Sequence, residues 1–506
     1  MTPLLSWQRA TGYTIPVAAI VFALVYFVSR CVYRLVLSPL CRFPGPFWAK
    51  VTDLWHAKLI KTGKEFSALY ELHDRYGPVV RIGPSKLSVT DATALRTIYK
   101  VGAPFPKTDY YAPFQTPGVG VDIFSERNEA VHGKFKRQFA QIYSASGVKD
   151  LDANIDNSIQ RFICHLQNQG AENINLGKWV ERLLFDCMCD FHFGQNLAYL
   201  DHDPEDGVFE EVDRFVCQAH LSGMAPGWQM VINAAQLILQ RLSPGNTVNL
   251  ISRSIEKFFK GSVGPCNDNP TTVYPNIASR LVQAQSAKNT GGLQDAEVVH
   301  LIQFGLTAGT TDGGTWLNSV FYHLMHNRDK LDKLVEELRE KFQLGEIGAI
   351  CTAQQSATCT YLDAVLQESL RMFPSLGGIL PRETPSGGLD ILGHHVPAGF
   401  TVGAPAFAIH RMADIFGPEP FSFKPERWLE VPRPPDMSRF SMGFGLGSRT
   451  CLGKNLSWMM MRKIVPSVVL ALDFEPPKPA IDWDVVSGAG IHQHGFYARV
   501  KRRELN

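Results

Sequence analysis

The chain has 506 residues, of which 45% are hydrophobic and 19% are charged, and its formal net charge at pH 7 is +2. A nearly balanced charge without a concentrated basic stripe argues against nucleic acid as a partner. The ten cysteines show neither paired zinc spacing nor the density of a disulfide scaffold, which suits a reducing compartment. Nothing in the composition marks a soluble linker between two cores, so we expect one large domain.

The amino terminus predicts a transmembrane helix. Residues Thr11 to Val28 carry no charge and are mostly apolar, and at a rise of about 1.5 Å per residue they span about 27 Å, close to the ~30 Å hydrocarbon layer. Arg30, Arg34 and Arg42 follow this segment whereas only Arg9 precedes it, so the positive-inside bias puts the rest of the chain in the cytosol. A cleaved signal peptide is the alternative, but no small-residue cleavage site follows the apolar run.

Three regions follow from this pattern. Residues 1–35 are expected to form a membrane anchor, and the prolines in residues 36–46 a stiff linker. Residues 47–506 form the main domain, in which helix signals dominate. Strand signals are few, and residues 79–89 predict a hairpin with Gly83-Pro84 at its turn. The predicted fold class is therefore mainly α with small β-sheets.

A long buried helix is predicted from Asp295 to Asn327, where the chain has no proline and apolar residues recur at helical spacing. Its middle, Thr307 to Thr315, contains three glycines, and each disfavours a helix interior by about 1 kcal/mol relative to alanine. Such a cost indicates a groove or a kink. A second, amphipathic helix is predicted from Asp329 to Phe342.

A further helix is predicted to begin at a Thr360-x-x-Asp363 cap and to end before a proline. Glu368 and Arg371 lie at positions i and i+3 of this helix, so they share a face and can pair. On a surface such a pair contributes only a few tenths of a kcal/mol, and a solvated ion pair is the default interpretation. Residues 425–428, Pro-Glu-Arg-Trp, supply a later arginine motif.

The stretch from Phe444 to Gly453 presents one cysteine on a glycine-punctuated loop that runs into an apolar helix. A thiolate such as that of Cys451 can bind haem iron, and backbone N–H groups at the start of the helix can lower its pKa. Gly447 is placed to take a positive φ, and Gly453 lets the backbone approach a macrocycle closely. Arg449 offers a guanidinium fork to a haem propionate.

Two ordinary interpretations compete at this loop. A lone cysteine is usually a small buried hydrophobe. Gly445-x-Gly447 is also the start of a dinucleotide-binding fingerprint, but that fingerprint needs a third glycine where Thr450 stands. The whole Phe-x-x-Gly-x-Arg-x-Cys-x-Gly pattern is more specific than either.

The loop resembles the cysteine-ligand loop of the cytochrome P-450 superfamily of haem-thiolate monooxygenases, and the likeness covers roughly residues 39 to 500. The resemblance implies the cytochrome P-450 fold preceded by one transmembrane helix, with haem as the cofactor and Cys451 as the ligand of its iron. It also implies that Glu368, Arg371 and Arg427 form a buried triad that steadies the loop. The residues expected to hold haem are Cys451, Arg449, Phe444, Gly453, Arg382 and Lys136.

The oxygen-activating segment departs from the family pattern, which is Ala-Gly-x-acid-Thr. With the pattern anchored on Ala308-Gly309, Thr311 stands at the acid position and Asp312 at the alcohol position. We therefore hypothesise that Asp312 and Thr311 exchange roles as the catalytic proton relay, and that the pKa of Asp312 is raised where it meets the apolar pocket. The alternative is that the inversion abolishes ordinary oxygen activation.

The resemblance further implies a monooxygenase of the endoplasmic reticulum membrane whose haem-thiolate catalytic domain faces the cytosol. A flavin-dependent reductase would supply electrons from NADPH, and one oxygen atom would enter an apolar metabolite, as in fungal secondary metabolism. The alternatives are a haem-thiolate isomerase or dehydratase that needs no external oxygen, and a non-catalytic haem sensor. By family placement, the residues expected to line the substrate pocket are Tyr110, Tyr111, Phe114, Phe304, Ala308, Leu376, Ile379 and Ile491.

Overall fold

The computed structural model describes residues 20–115, 120, 122–170, 172–195, 197–202, 207–225, 276–286, 295–430 and 435–504. These residues form many helices and a few small sheets, so the predicted fold class is confirmed. The helices are α1 Ile20–Leu37, α2 Phe47–Val51, α3 Leu54–Lys61, α4 Glu65–Tyr76, α5 Ala92–Ile98, α6 Glu129–Phe139, α7 Ala145–Val148, α8 Asp156–Gln167, α9 Leu176–Phe193, α10 Val208–Met224, α11 Ile277–Ser286, α12 Asp295–His326, α13 Arg328–Gln343, α14 Ala353–Ser356, α15 Thr360–Met372, α16 Ala406–Ile409, α17 Ala413–Phe416, α18 Pro435–Arg439 and α19 Lys454–Ala471. The strands are β1 Val79–Gly83, β2 Lys86–Val89, β3 Asn173–Asn175, β4 Arg382–Glu383, β5 Leu389–Ile391, β6 His394–Val396, β7 Thr401–Gly403, β8 Leu472–Glu475, β9 Asp484–Ser487, β10 Ile491–His494 and β11 Tyr497–Arg502.

The largest sheet has four strands in the order β1-β2-β7-β4. Strand β2 pairs in parallel with β7, and the other two pairings are antiparallel. The hairpin predicted for residues 79–89 is confirmed, since Val79 pairs with Val89 and the chain reverses after Gly83. The described residues also form three smaller sheets, with the orders β3-β11-β8, β10-β9 and β5-β6.

The long helix α12 lies at the centre of the largest hydrophobic core and is one uninterrupted helix, close to its predicted bounds. Helix α9 packs along it, and α15, α19 and β10 also contact it. Of the two outcomes expected from the glycines, a groove is present: side chains of α9 lie directly against Gly305, Gly309 and Gly313. The helix stays regular, so the glycines form the groove on one face of α12. The groove lies where α9 side chains pack against that face.

Helix α15 begins and ends close to the predicted positions, but the expected Thr360–Asp363 cap is wrong. No side chain of its own N-terminal turn caps the helix. Glu337 of α13 instead accepts the N–H groups of Tyr361 at 2.9 Å and Leu362 at 3.0 Å. A carboxylate from a neighbouring helix thus satisfies the free N–H groups of the first turn, where the helix dipole favours negative charge.

Helix α1 is long and apolar enough to cross a membrane, and none of its 18-residue span is buried in the protein. Residues 11–19, the start of the predicted transmembrane segment, lie outside the described residues. The end of α1 contacts the main domain: Arg34 donates to the carbonyl of Val51, and the Arg34 carbonyl accepts from Arg81 at 2.8 Å. The described chain therefore offers one candidate membrane span.

Candidate active site

Cys451 lies between a single 3-10 turn, Gly447–Arg449, and the start of α19. Gly447 has the predicted positive φ, at 66°, and Gly445 has the same value. A side chain at position 447 would also overlap the carbonyl of Tyr99, so this turn accepts only glycine. The N–H of Cys451 donates to the carbonyl of Phe444 at 2.9 Å, which closes the loop around the sulfur.

Two opposed influences act on the Cys451 sulfur. The sulfur is exposed to the cavity, but the surrounding protein shields it from bulk water and raises the pKa of the thiol to about 11, and the nearby Asp312 carboxyl adds to this effect. The N–H groups of Gly453 and Lys454 bond to the sulfur and lower its pKa, as predicted for a helix start, and the charge of Lys136 acts in the same direction. Because the shielding from bulk water prevails, the free thiol stays protonated at neutral pH, and a thiolate requires a positive partner such as a metal ion.

The sulfur faces a largely apolar cavity. Of the residues expected to line the substrate pocket, Tyr111, Phe304, Ala308 and Leu376 do so. The aromatic wall continues through Phe124, which stacks on Phe304 with ring centroids 5.3 Å apart. The remaining expected residues are buried but are not part of this lining, namely Tyr110, Phe114, Ile379 and Ile491.

Cationic side chains cluster along the same cavity. Their members are Arg382, Arg449, Lys136 and Lys107, of which Lys107 was not anticipated from the sequence. Burial and the charges of Arg382 and Arg449 hold the pKa of Lys107 well below its usual value. Within the described part of the chain, Lys107 and Arg382 bond only to neutral groups and aromatic rings. A group with two carboxylates would balance these charges, so the cysteine and the cation cluster together fit haem.

Arg449 and Lys136 also hold the cysteine loop against α6. Arg449 donates to the carboxylate of Glu129, with a shortest distance of 2.7 Å, and to the carbonyl of Glu126 at 2.7 Å. Lys136 donates to two loop carbonyls at 3.0 and 2.7 Å. Both residues therefore have protein partners of their own, and their expected contacts with haem, like that of Arg382, remain predictions.

The buried triad expected from the resemblance is present in the structure. Glu368 is fully buried and accepts from Arg371 at 2.8 Å and from Arg427 at 2.9 Å. Arg371 also donates to the carbonyl of His410 at 2.8 Å, and Nε2 of His410 accepts the N–H of Met442 at 2.8 Å. Since Met442 lies two residues before Phe444, where the cysteine loop begins, the triad fixes the chain that leads into Cys451.

Asp312 and Thr311 do not meet at the cavity. Asp312 lines it with its side chain exposed to the cavity, and because the surrounding protein shields the carboxyl from bulk water its pKa is raised to about 7, as hypothesised. Thr311 is not part of the lining, and its hydroxyl donates at 3.0 Å to the carbonyl of Thr307, one turn earlier. Successive helical residues point about 100° apart, which separates the two side chains. The Asp312 carboxyl is thus positioned to exchange protons inside the cavity, while the exchange of roles remains a prediction.

Two residues of α9 also reach the cavity, and no sequence motif marks them. Met188 and His192 line it beside Gly309 and Gly305 of α12. The available sequence signal is the four-residue spacing of these glycines, which puts both on one face of the helix. Which side chains would occupy that face depends on how α9 packs, and this is a tertiary property.

Comparison with known proteins agrees with this geometry. The model of the cytochrome P-450 family matches residues 44–494. The cytochrome P-450 monooxygenase cicH of Emericella nidulans is 28% identical to this chain, covering 95% of it and 97% of the relative. The cytochrome P-450 monooxygenase gsfF of Penicillium aethiopicum is 27% identical, covering 96% of this chain and 98% of the relative. Pisatin demethylase of Fusarium vanettenii is 29% identical, covering 93% of this chain and 89% of the relative. The chain therefore belongs to the cytochrome P-450 family, and it is a monooxygenase of the haem-thiolate type.

Proposed function

We propose that this monooxygenase inserts one oxygen atom from O2 into an apolar small molecule of fungal secondary metabolism. Its electrons come from NADPH through a flavoprotein reductase. The observation that carries the proposal is the Asp312 carboxyl, whose pKa is raised to about 7 and which faces the same apolar cavity as Cys451. The names of fungal relatives support the reaction class.

Haem would be held at its iron by Cys451 and at its carboxylates by the cation cluster, with Phe444 and Gly453 lining the cavity beside the sulfur. Thiolate-bound iron supplies the oxygen chemistry, since the electron density of the sulfur favours O–O cleavage. The aromatic wall around Phe304 excludes bulk water and binds the substrate through the burial of apolar surface. These residues thereby set which molecules enter the site.

Asp312 carries the proton in this proposal. A carboxyl whose pKa lies near the working pH can both hold a proton at one oxygen and release it, directly or through one water. The Thr311 hydroxyl is bonded to the Thr307 carbonyl. We therefore assign Thr311 the alcohol's supporting role, in which it positions the turn that presents Asp312.

The reaction class is tested by comparing the metabolites of cells with and without this gene under isotopically labelled oxygen gas. Mass spectrometry should show a lost product with one labelled oxygen atom and an accumulated precursor one oxygen lighter. A precursor of the same mass as the product would contradict the proposal and favour the isomerase alternative. A precursor heavier by one water would favour the dehydratase.

The proton role is tested by Asp312→Asn, which keeps the size of the side chain and removes the acid. We expect NADPH oxidation to continue while the product formed per NADPH falls by about tenfold or more, because a positioned acid contributes at least that much. Thr311→Val is the control, and its yield should change less. An unchanged yield in the Asp312 variant would show that this carboxyl is not the proton carrier.

We further propose that residues 1–35 anchor the protein in the endoplasmic reticulum membrane, that residues 36–46 are the linker, and that residues 47–506 form the catalytic domain on the cytosolic side. The exposed apolar surface of α1 and the arginines after it support this arrangement. Deletion of residues 1–35 should release the protein from the membrane pellet. Protection of the catalytic domain from protease in sealed microsomes would contradict the orientation.

A further inference from the structure

The Asp312 carboxyl is exposed to the cavity, and it has no hydrogen-bond partner among the described residues. A carboxyl that gives up a proton in each reaction cycle must regain one from a neighbouring hydroxyl or water. Each threonine of α12 already uses its hydroxyl hydrogen in a bond to a backbone carbonyl, namely Thr307, Thr310, Thr311 and Thr315. A hydroxyl that serves Asp312 must therefore come from another element.

Ser375, shortly after α15, offers such a hydroxyl. This residue is part of the cavity lining and keeps 8% of its surface exposed. Within the described chain its hydroxyl bonds to no other residue, yet it is not a sealed group without a partner, so the exposed surface includes the oxygen. A hydroxyl can donate one hydrogen bond and accept others at the same time. It can therefore hold a water molecule inside the cavity.

Strand β10 holds Ser375 beside Asp312. Asp312 and Thr315 are three residues apart on one face of α12, and the Thr315 hydroxyl donates to the carbonyl of Ile491. The N–H of Ile491 in turn donates to the carbonyl of Ser375 at 2.8 Å. A Cβ at position 490 would lie 3.7 Å from Oδ1 of Asp312 and 3.2 Å from the carbonyl oxygen of Ser375. Both residues therefore border the space that Gly490 leaves open.

Two other hydroxyls of the cavity lining, those of Tyr143 and Ser457, also lack a bonding partner in the part of the chain that the structure describes. Both belong to the cysteine side of the cavity. Ser457 lies in the first turn of α19, and Asn455 of the same turn donates to the Tyr143 carbonyl at 2.9 Å. Ser375 is thus the hydroxyl that combines a free O–H group with a place beside Asp312.

We propose that Ser375 is a positioning residue that supplies the hydroxyl of the Asp312 proton relay, in place of a threonine on α12. Its hydroxyl holds the water through which the carboxyl regains the proton that it releases into the cavity. The water passes on one proton and receives one from bulk solvent, so the serine is left unchanged. The inference rests on the proposed function, because it concerns how that reaction receives its protons.

The test compares Ser375→Ala with the wild-type holoenzyme, supplied with the reductase, NADPH and the precursor that accumulates in cells lacking the gene. The carbon monoxide difference spectrum counts correctly folded protein, and the shift of the haem absorption band measures precursor binding. We expect the variant to bind the precursor as the wild type does. The product formed per NADPH should fall about threefold to tenfold, the effect of losing one hydrogen bond, and hydrogen peroxide should replace the lost product.

Thr310→Val is the matched control, because its hydroxyl donates to the Leu306 carbonyl at 2.8 Å and is not part of the cavity lining. Its yield should stay near that of the wild type. Adding Ser375→Ala to Asp312→Asn should cause little further loss, since groups that act as a unit are not additive. Losses that multiply in the double variant, or an unchanged yield in Ser375→Ala, would overturn the proposal.

The wild-type enzyme tests the proposed function separately. If it forms no oxygenated product from the precursor, the reaction class itself is wrong. If it forms that product and Ser375→Ala forms as much, the reaction class stands and the role of Ser375 is refuted.

Discussion

Glu368→Gln should destabilise the protein far more than an ordinary loss of one ion pair. Each carboxylate oxygen of Glu368 accepts several hydrogen bonds. Oε1 accepts from Arg371 at 2.8 Å, from Arg427 at 2.9 Å and from the N–H of Lys424 at 2.9 Å. Oε2 accepts from Arg371 and from Trp428, each at 2.8 Å. The glutamine amide has nearly the same shape, but it removes the negative charge and replaces one accepting oxygen by an NH2 group, which cannot accept the bonds that the oxygen receives. The perturbation thus removes both the charge and part of the hydrogen bonding of the triad at nearly constant volume.

The magnitude follows from the burial of the two guanidinium groups. The side chains of Arg371 and Arg427 are only 1% and 4% exposed, and breaking a buried pair while its partner charges remain costs about 3–5 kcal/mol. The total stability of a folded protein is about 5–15 kcal/mol, so this one change removes a substantial fraction. The same argument predicts faster loss of haem, because the triad fixes the chain that leads into the cysteine loop.

Urea titration of the holoenzyme, followed by tryptophan fluorescence and by the haem absorption band, measures both effects. Glu346→Gln is the matched control, since Glu346 pairs with Lys341 at 2.8 Å on the surface and is 49% exposed. We expect the control to unfold at the wild-type urea concentration, because exposed pairs contribute little. A Glu368→Gln variant within about 1 kcal/mol of wild type would refute the reasoning, since the triad would then add no more than a surface pair.

The remaining predictions concern packing and pH. Gly309→Ala should destabilise the fold by about 1–3 kcal/mol through overpacking on Met188. This loss is expected although alanine favours a helix by about 1 kcal/mol relative to glycine. Met188→Ala in the same chain should recover part of the lost stability. A double-mutant cycle in urea measures the coupling, and additive losses would argue against contact. Burial alone would raise the pKa of Glu65, but His220 at 2.6 Å and His56 at 2.7 Å lower it below its ordinary value. The contribution of Glu65 to stability is therefore present above about pH 4.3 and is lost as the pH falls. Glu65→Gln should flatten the acid side of a curve of unfolding free energy against pH. An unchanged curve would contradict this prediction.

Features with local causes could be predicted from the sequence. The turn before Cys451 requires a positive φ at position 447, and the sequence has glycine there. The helix after Cys451 follows from its apolar composition. Glu368 and Arg371 are three residues apart on one helix, so their pairing follows from helix geometry. The β1–β2 hairpin is equally local, with its turn directly after Gly83.

Features that join distant segments could not be predicted in this way. The ion pair between Arg449 and Glu129 spans 320 residues, and no periodicity relates the two positions. Lys107 enters the cation cluster because its loop packs beside Arg382, with which it forms an isolated β-bridge. The sequence predicts a local cap of α15 from Thr360 and Asp363, but the capping carboxylate is that of Glu337 on another helix.

The glycines of α12 combine both cases. Their number in one helix predicts a cost of about 1 kcal/mol each, but the helix stays continuous because the apolar side chains that fill the groove offset this cost, at about 1.5–3 kcal/mol for each one fully buried. Leu184 lies 3.4 Å from the Cβ position of Gly313, and Met188 occupies the equivalent place at Gly309. Alanine at position 309 would make a better isolated helix and a poorer protein, whereas alanine at position 313 would meet Leu184 at an ordinary contact distance. The positions of the glycines therefore reflect the packing of α9 against α12. They also explain how α9 side chains come to line the cavity that contains Cys451.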